Sequence, residues 1–179
     1  HRMSTLELKE LSHPAGEVIK IASGKTLDLK TQGSVTMPTG SVLQVVSVTS
    51  NGSLSTSSTS FVDLITCNIT PTSTSSKILV TFNSGLGYQN TSNANFRADY
   101  TIFRDSTDLG NVDNGHTGTY VHSVTYNDIN VVGNCHELDS PNTTSQITYK
   151  IKVKTNNSSA VVVFGWKGKD SLTLMEIQG

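Results

Sequence analysis

Seven carboxylates, Asp99, Asp105, Asp108, Asp113, Asp128, Glu137 and Asp139, fall in the middle of the chain. A pair of them held across a sugar would be the machinery of glycan hydrolysis. Spacing alone pairs none of them, and no GxSxG elbow or other nucleophile motif stands among the many serines. Catalysis therefore finds no support. The stretch RDSTDLGNVDNG lacks the alternating Asp or Asn register of a calcium loop, so its aspartates read as turn formers that bond their own backbone. His116 and His122 share a parity with Gly118, Tyr120 and Val124 and could reach one surface if Gly118 does not bend the strand. The close His-x-His pairing that would argue for a metal is absent, and no metal or cofactor is expected.

The residues best suited to binding are aromatics set among amides. A sugar ring stacks its apolar face on an aromatic while Asn and Asp bond its hydroxyls. Tyr88 followed by Asn90, Asn93 and Asn95 has that composition, as do Tyr120 and Tyr126 around His122, and Trp166 beside Lys167. Each ring serves equally well as core. Lys150, Lys152 and Lys154 line one face of a strand, with Lys167 and Lys169 after it. They read as protection of a sheet edge, or else as a surface for anionic sugar or phosphate.

The composition suits an exterior surface. Serine and threonine supply 24 residues each and asparagine 14, while only 15% of the chain is charged. Thr favours strands, and Asn, Ser and Gly favour the turns between them. A net charge of −1 gives no global attraction for nucleic acid or anionic membrane. No apolar run outlasts Ala160 to Phe164, too short for a membrane span or a secretion signal, so a soluble protein without membrane insertion is expected. Cys67 and Cys135 match no zinc spacing and read as two buried thiols. The Asn-x-Ser/Thr triplets at Asn68 and Asn142 follow from composition and imply no glycans.

These residues must be carried by strands. Candidates are Val42 to Val48, Phe61 to Ile69, Lys77 to Phe82, Phe96 to Arg104, Thr117 to Tyr126, Ile129 to Cys135, Gln146 to Lys154, Ala160 to Trp166 and Leu172 to Ile177. The clearest is QITYKIKVK, where Ile147, Tyr149, Ile151 and Val153 face one way and Thr148 and the lysines the other. No twelve-residue stretch has a helical period. This pattern predicts one all-β head over residues 41–179, an antiparallel sandwich whose binding capacity resides in Asn-, Gly- and Ser-rich loops.

Residues 3–40 differ. His1 and Arg2, ahead of Met3, read as a remnant of cloning. Glycines punctuate alternating pairs at Ile19 and Ile21, Leu27 and Leu29, and Val35 and Met37, the pattern of a thin β-ribbon too small to close its own core. Copies wrapped about a shared axis would complete it. Ser4 to Leu11 fits either a capped helical turn or a strand through Leu6 and Leu8. The closing strand SLTLMEIQG adds a related signal. Leu172 and Leu174 take one parity, Met175 and Ile177 the other, so both faces call for cover. Sister subunits would supply it, unless a bulge at Leu174 to Met175 or a loop of the same chain does.

In order along the chain, GSVLQVVSV (40–48), STSFVDL (58–64), ITPTSTSSKILV (69–80), FRDSTDLG (103–110), LDSPNTTSQITYKIKVK (138–154) and SLTLMEIQ (171–178) resemble the distal regions of tail fibres and related virion proteins of aquatic bacteriophages. KIASGKTLDLKTQGSVTMPTG resembles the short stem leading into such heads. The resemblance implies a homotrimeric fibre tip on the virion exterior, assembled in the host cytoplasm, with a jelly-roll-like head. It implies other virion tail proteins as partners and attachment to a bacterial surface glycan or protein. A structural capsid fibre or decoration protein is the alternative. No fixed receptor residues carry over, because the family's receptor loops vary.

Overall fold

The structure is a computed structural model that describes residues 23–25, 36–84, 88–89, 95–122, 128–129, 132–165 and 168–179. The chain forms two compact units, His1–Thr36 and Met37–Gly179. In the first, an exposed turn at Ser23 and Gly24 is described, with Gly24 at φ 73°. The pairs expected at Ile19 and Ile21 and at Leu27 and Leu29, the residue Val35, and the segment Ser4 to Leu11 lie outside the described residues.

The second unit is built from strands β1 Val42–Ser50, β2 Leu54–Thr56, β3 Val62–Ile69, β4 Lys77–Ser84, β5 Tyr88–Gln89, β6 Phe96–Arg104, β7 Thr107–Asp108, β8 Thr117–Val121, β9 Asp128–Ile129, β10 Gly133–Asp139, β11 Ile147–Thr155, β12 Val162–Phe164 and β13 Asp170–Ile177. All pairings are antiparallel, and no helix occurs among the described residues. One sheet runs β1-β13-β4-β10. The other runs β3-β11-β6, with β7 and β8 on the remaining side of β6.

Among the eight principal strands (β1, β3, β4, β6, β8, β10, β11, β13), the first pairs with the eighth, the second with the seventh, the third with the sixth and the fourth with the fifth. That is one long hairpin, and rolling it brings β13 onto β4 and β11 onto β6. The result is a jelly roll.

The core follows from the two-residue period. Ile147, Tyr149, Ile151 and Val153 of β11 meet Phe96, Ala98, Tyr100 and Ile102 of β6, and across the sandwich lie Ile78, Val80, Phe82, Leu172 and Leu174. Each large apolar side chain so buried contributes about 1.5–3 kcal/mol. The rings of Phe82 and Phe164 pack on Tyr100 at 5.8 and 5.2 Å. Gly133 makes that contact possible, since a Cβ there would stand 2.5 Å from Tyr100 Cζ.

Polar groups close the core at both ends. At one end Arg104 Nη1 donates to both Asp139 oxygens at 2.8 and 2.9 Å, and the Tyr149 hydroxyl donates to Asp139 Oδ2 at 2.6 Å. Buried Glu176 belongs to the same end and accepts from Gln44 Nε2 and from Thr72 N and Oγ1. The chain enters β1 here, with Gly40 N bonded to Gln178 O. At the opposite end buried Ser84 donates to Asp170 Oδ1 at 2.5 Å. The connections β1–β3, β4–β6, β8–β10 and β11–β13 all leave from that opposite end, as the pairs Ser50–Asp170, Ser84–Gly133, Phe96–Val121 and Ala98–Thr155 fix.

The closing strand resolves its double apolar parity without a bulge. Its pairing with β4 runs unbroken from Ser171 to Ile177. Leu172 and Leu174 enter the core, and Met175 faces outward in a row that crosses all four strands: Val45, Met175, Leu79, Leu138. Val45 and Leu138 are 56% and 51% exposed.

Candidate functional site

A cleft of about 240 Å³ opens on the outer face of the β3-β11-β6 sheet, lined by Arg97, Asp99, Asn114, Gly115, His116, Thr117 and Gly118. Its floor exists because two charges sit at i and i+2 on the outward parity of β6, and because β8 places Gly118 opposite Asp99. Asp99 is fully buried. Arg97 Nε makes a charge contact with its Oδ1 at 2.7 Å, and Nη2 donates to Oδ2 at 3.1 Å. Nη2 also donates to Asn114 Oδ1. Burial pushes the Asp99 carboxyl above its ordinary value, against the pull of Arg97 and, through space, Lys154. A Cβ on Gly118 would stand 2.2 Å from Asp99 Oδ1, so any side chain there would fill the cleft.

The wall is the β7–β8 connection. His116 Nδ1 accepts the Ile102 backbone N–H at 3.2 Å, which requires a lone pair on Nδ1 and puts the proton of the neutral ring on Nε2, 3.5 Å from Glu137 Oε2. Asp108 Oδ1 accepts from Thr101 Oγ1 and from Gly110 N. Asn111 Oδ1 accepts Asp113 N, and Asp105 Oδ1 accepts Thr148 N. Of the aspartates of RDSTDLGNVDNG, Asp108 shapes a turn through Gly110 N, whereas Asp105 reaches across to β11. Gly115, at φ 68°, lies against the Tyr100 carbonyl where a Cβ would clash. The wall is consequently fastened to β6.

Beside the cleft stands Tyr120, the cross-strand partner of Arg97 and 53% exposed. Its ring lies 5.6 Å from that of exposed His122. Of the receptor residues expected from sequence, Tyr120 is paired with a residue that lines the cleft, and His122 is reached through Tyr120. His116 and His122 do not share an environment, because His116 turns inward to Ile102 and His122 faces solvent. Asn95 is exposed just before β6, its backbone carbonyl accepting from Asn157 Nδ2 at 2.8 Å. Tyr88 lies in β5, whose two residues pair with β9. Asn90, Asn93, Tyr126 and Trp166 lie outside the described residues.

No family model matches the sequence, and no curated protein matches it. Among solved structures, the chain is similar to the VP2 subviral particle of infectious bursal disease virus, at 14% identity and a TM-score of 0.47, over 87% of this chain and 37% of that one. The particle of the Gx strain of the same virus matches at 15% identity and a TM-score of 0.42, over 87% of this chain and 36% of that one. The chain therefore spans little more than a third of the length of the structures it matches. The strand order, not this likeness, establishes the jelly roll.

The lysine stripe needs a correction. Edge protection is excluded for Lys150, Lys152 and Lys154, because β11 lies between β3 and β6. Lys150 and Lys152 both reach Asp63, at 3.0 and 3.1 Å. Lys152 and Lys154 lie 4.4 Å over the Phe103 and Phe61 rings, and Lys154 Nζ donates to the Asp113 carbonyl. The stripe is a staple on a central strand.

Arg97, Asp99 and Asn114 were not among the binding residues the sequence suggested. The signal that could have found them is FRADYTIFR itself, where Arg and Asp share the outward face of an otherwise apolar strand.

Proposed function

We propose that the chain is the distal, head-bearing part of a virion fibre that assembles as a homotrimer and attaches to a glycan or protein on a bacterial surface. It acts by binding, without turnover, and its further partners are other tail proteins of the virion. The observation that carries this reading is the polarity of the head. The chain enters β1 beside Gln178, and the four connections drawn from Asn-, Ser- and Thr-rich text leave at the opposite end. Such connections, on a scaffold fixed by a large core, are where recognition is placed. The six ordered segments that resemble phage fibre tips support the same reading, and so does the exposed apolar row on the outward face of the β1-β13-β4-β10 sheet.

Three weak sites on one tip, multiplied by several tips on a virion, convert modest single-site affinity into firm attachment. The test is competition: purified chain added to host cells should reduce adsorption of the phage in proportion to its occupancy of the surface. Full adsorption at saturating protein would favour the second reading, a capsid fibre or decoration protein with the same head and no receptor.

A further inference from the structure

We propose that the cleft over Gly118 binds one uncharged sugar ring, stacked on Tyr120 and hydrogen-bonded by Arg97 and Asn114. This rests on the attachment reading and assigns the ligand class and site within it.

Size comes first. At about 240 Å³ the cleft falls below the roughly 300–1,000 Å³ of sites that enclose drug-sized ligands, so it holds about one sugar ring within its walls. Charge comes next. The guanidinium of Arg97 is paired with the buried Asp99 carboxylate, which engages Nε and Nη2, and Lys154, the other cation that acts on Asp99, is already bonded to the Asp113 carbonyl. A phosphate or uronate placed here would meet an arginine already paired with a carboxylate. A neutral hydroxyl has no such conflict.

The donors also suit hydroxyls. Arg97 Nη1 lies in the plane set by the ion pair, and because the Oδ1 of exposed Asn114 already accepts from Arg97, its amide NH2 is the group it can offer a ligand. Tyr120 is the cross-strand partner of Arg97, so its exposed ring stands next to the strand position that carries the guanidinium. An exposed ring next to a short row of preset donors requires a ligand with an apolar flat face and a polar rim, and a pyranose has that form. Because the ion pair, the Gly118 gap and the pinned His116 are in place before binding, little ordering cost falls on association.

The experiment is saturation-transfer difference NMR on the full chain. The probes are methyl glycosides of neutral hexoses, 6-deoxyhexoses and N-acetylhexosamines, with methyl glucuronide and inorganic phosphate as anionic competitors. At least one neutral glycoside should show transfer, unaffected by either anion. Asn114→Ala and Tyr120→Ala, both at exposed positions, should each weaken it about fivefold or more while melting as the parent does. Absence of transfer across the panel, equal transfer in both variants, or displacement by the anions would overturn the proposal. Running the same proteins in the adsorption assay separates the two ideas. Variants that block adsorption as well as the parent remove the cleft and leave attachment standing. Sugar transfer without any block of adsorption keeps the cleft and removes attachment.

Discussion

At the scale of single residues, Glu176 shows how much a strand pattern reveals and where it stops. In SLTLMEIQ it takes the parity opposite to Met175, and that places it inside. Its partners, Gln44 and Thr72, lie over a hundred residues away, so nothing local announces that this carboxylate is satisfied. Burial pushes its carboxyl up, but the nearby Ser76 hydroxyl and the hydrogen bonds from Gln44 and Thr72 outweigh that and hold it below the usual glutamate value. The folded head then holds fewer protons than the unfolded chain between the lowered value and the ordinary one. Stability from this group is complete above the ordinary glutamate value and is lost as pH falls through the lowered one. Asp99 and Asp170, raised by burial, act with the opposite sign, adding stability as pH falls through their raised values. Glu176→Ala should cost about 2 kcal/mol at neutral pH by removing the acceptor of three donors, Gln44 Nε2 and Thr72 N and Oγ1, and the deficit should shrink in urea titrations as pH falls from about 6 to 3. Cys67 and Cys135, on strands of opposite sheets, offer a second check. Burial raises both thiols, Cys135 to about 12, so alkylation at neutral pH should proceed only at the rate of unfolding.

At the scale of the strand, β11 was the most legible element and also the one most easily misplaced. Its alternation set which face is core, and all four inward residues are buried. Whether a strand lies at an edge or in the centre depends on its neighbours, and those come from β3 and β6, far away in sequence. The cleft was hidden for the same reason. Tyr120 and His122 were visible as an aromatic and imidazole pair, but Arg97 joins them only through the pairing of β6 with β8. The lysines follow as a prediction. Asp63 lies between Lys150 and Lys152, and although burial pushes its carboxyl up, the two ammonium groups hold it net below the usual value. It is nearly half exposed, so Asp63→Asn should cost no more than about 1 kcal/mol at low salt. The difference should fade near 1 M NaCl, where the screening length is about 3 Å. A cost that survives salt would mean that packing, not charge, holds the stripe.

At the scale of the whole molecule, short alternating strands gave a sandwich, and only the pairing of first with eighth and second with seventh made it a jelly roll. The row Val45, Met175, Leu79, Leu138 was half visible, since Met175 and Ile177 already called for cover on a second face. Val45 and Leu138 join it through register, one from each edge strand of the sheet. The rows on one side of it, Ser47, Thr173, Thr81, His136 and then Thr49, Ser171, Asn83, Asn134, are polar, while on the other side Val42 and Ile177 extend the apolar band as far as Lys77. An exposed apolar band beside a polar field is the form of a contact surface. It carries no acidic residue, so copies related by symmetry meet there without like-charge repulsion between carboxylates. If sister copies cover this stripe, light scattering of the full chain gives three times the chain mass, and Val45→Lys with Leu138→Lys brings it down to one while the far-ultraviolet spectrum stays that of a β protein. A parent that remains single at micromolar concentration ends the trimer proposal. A parent trimer indifferent to both lysines moves the contact to another surface, leaving the stripe to a different occupant.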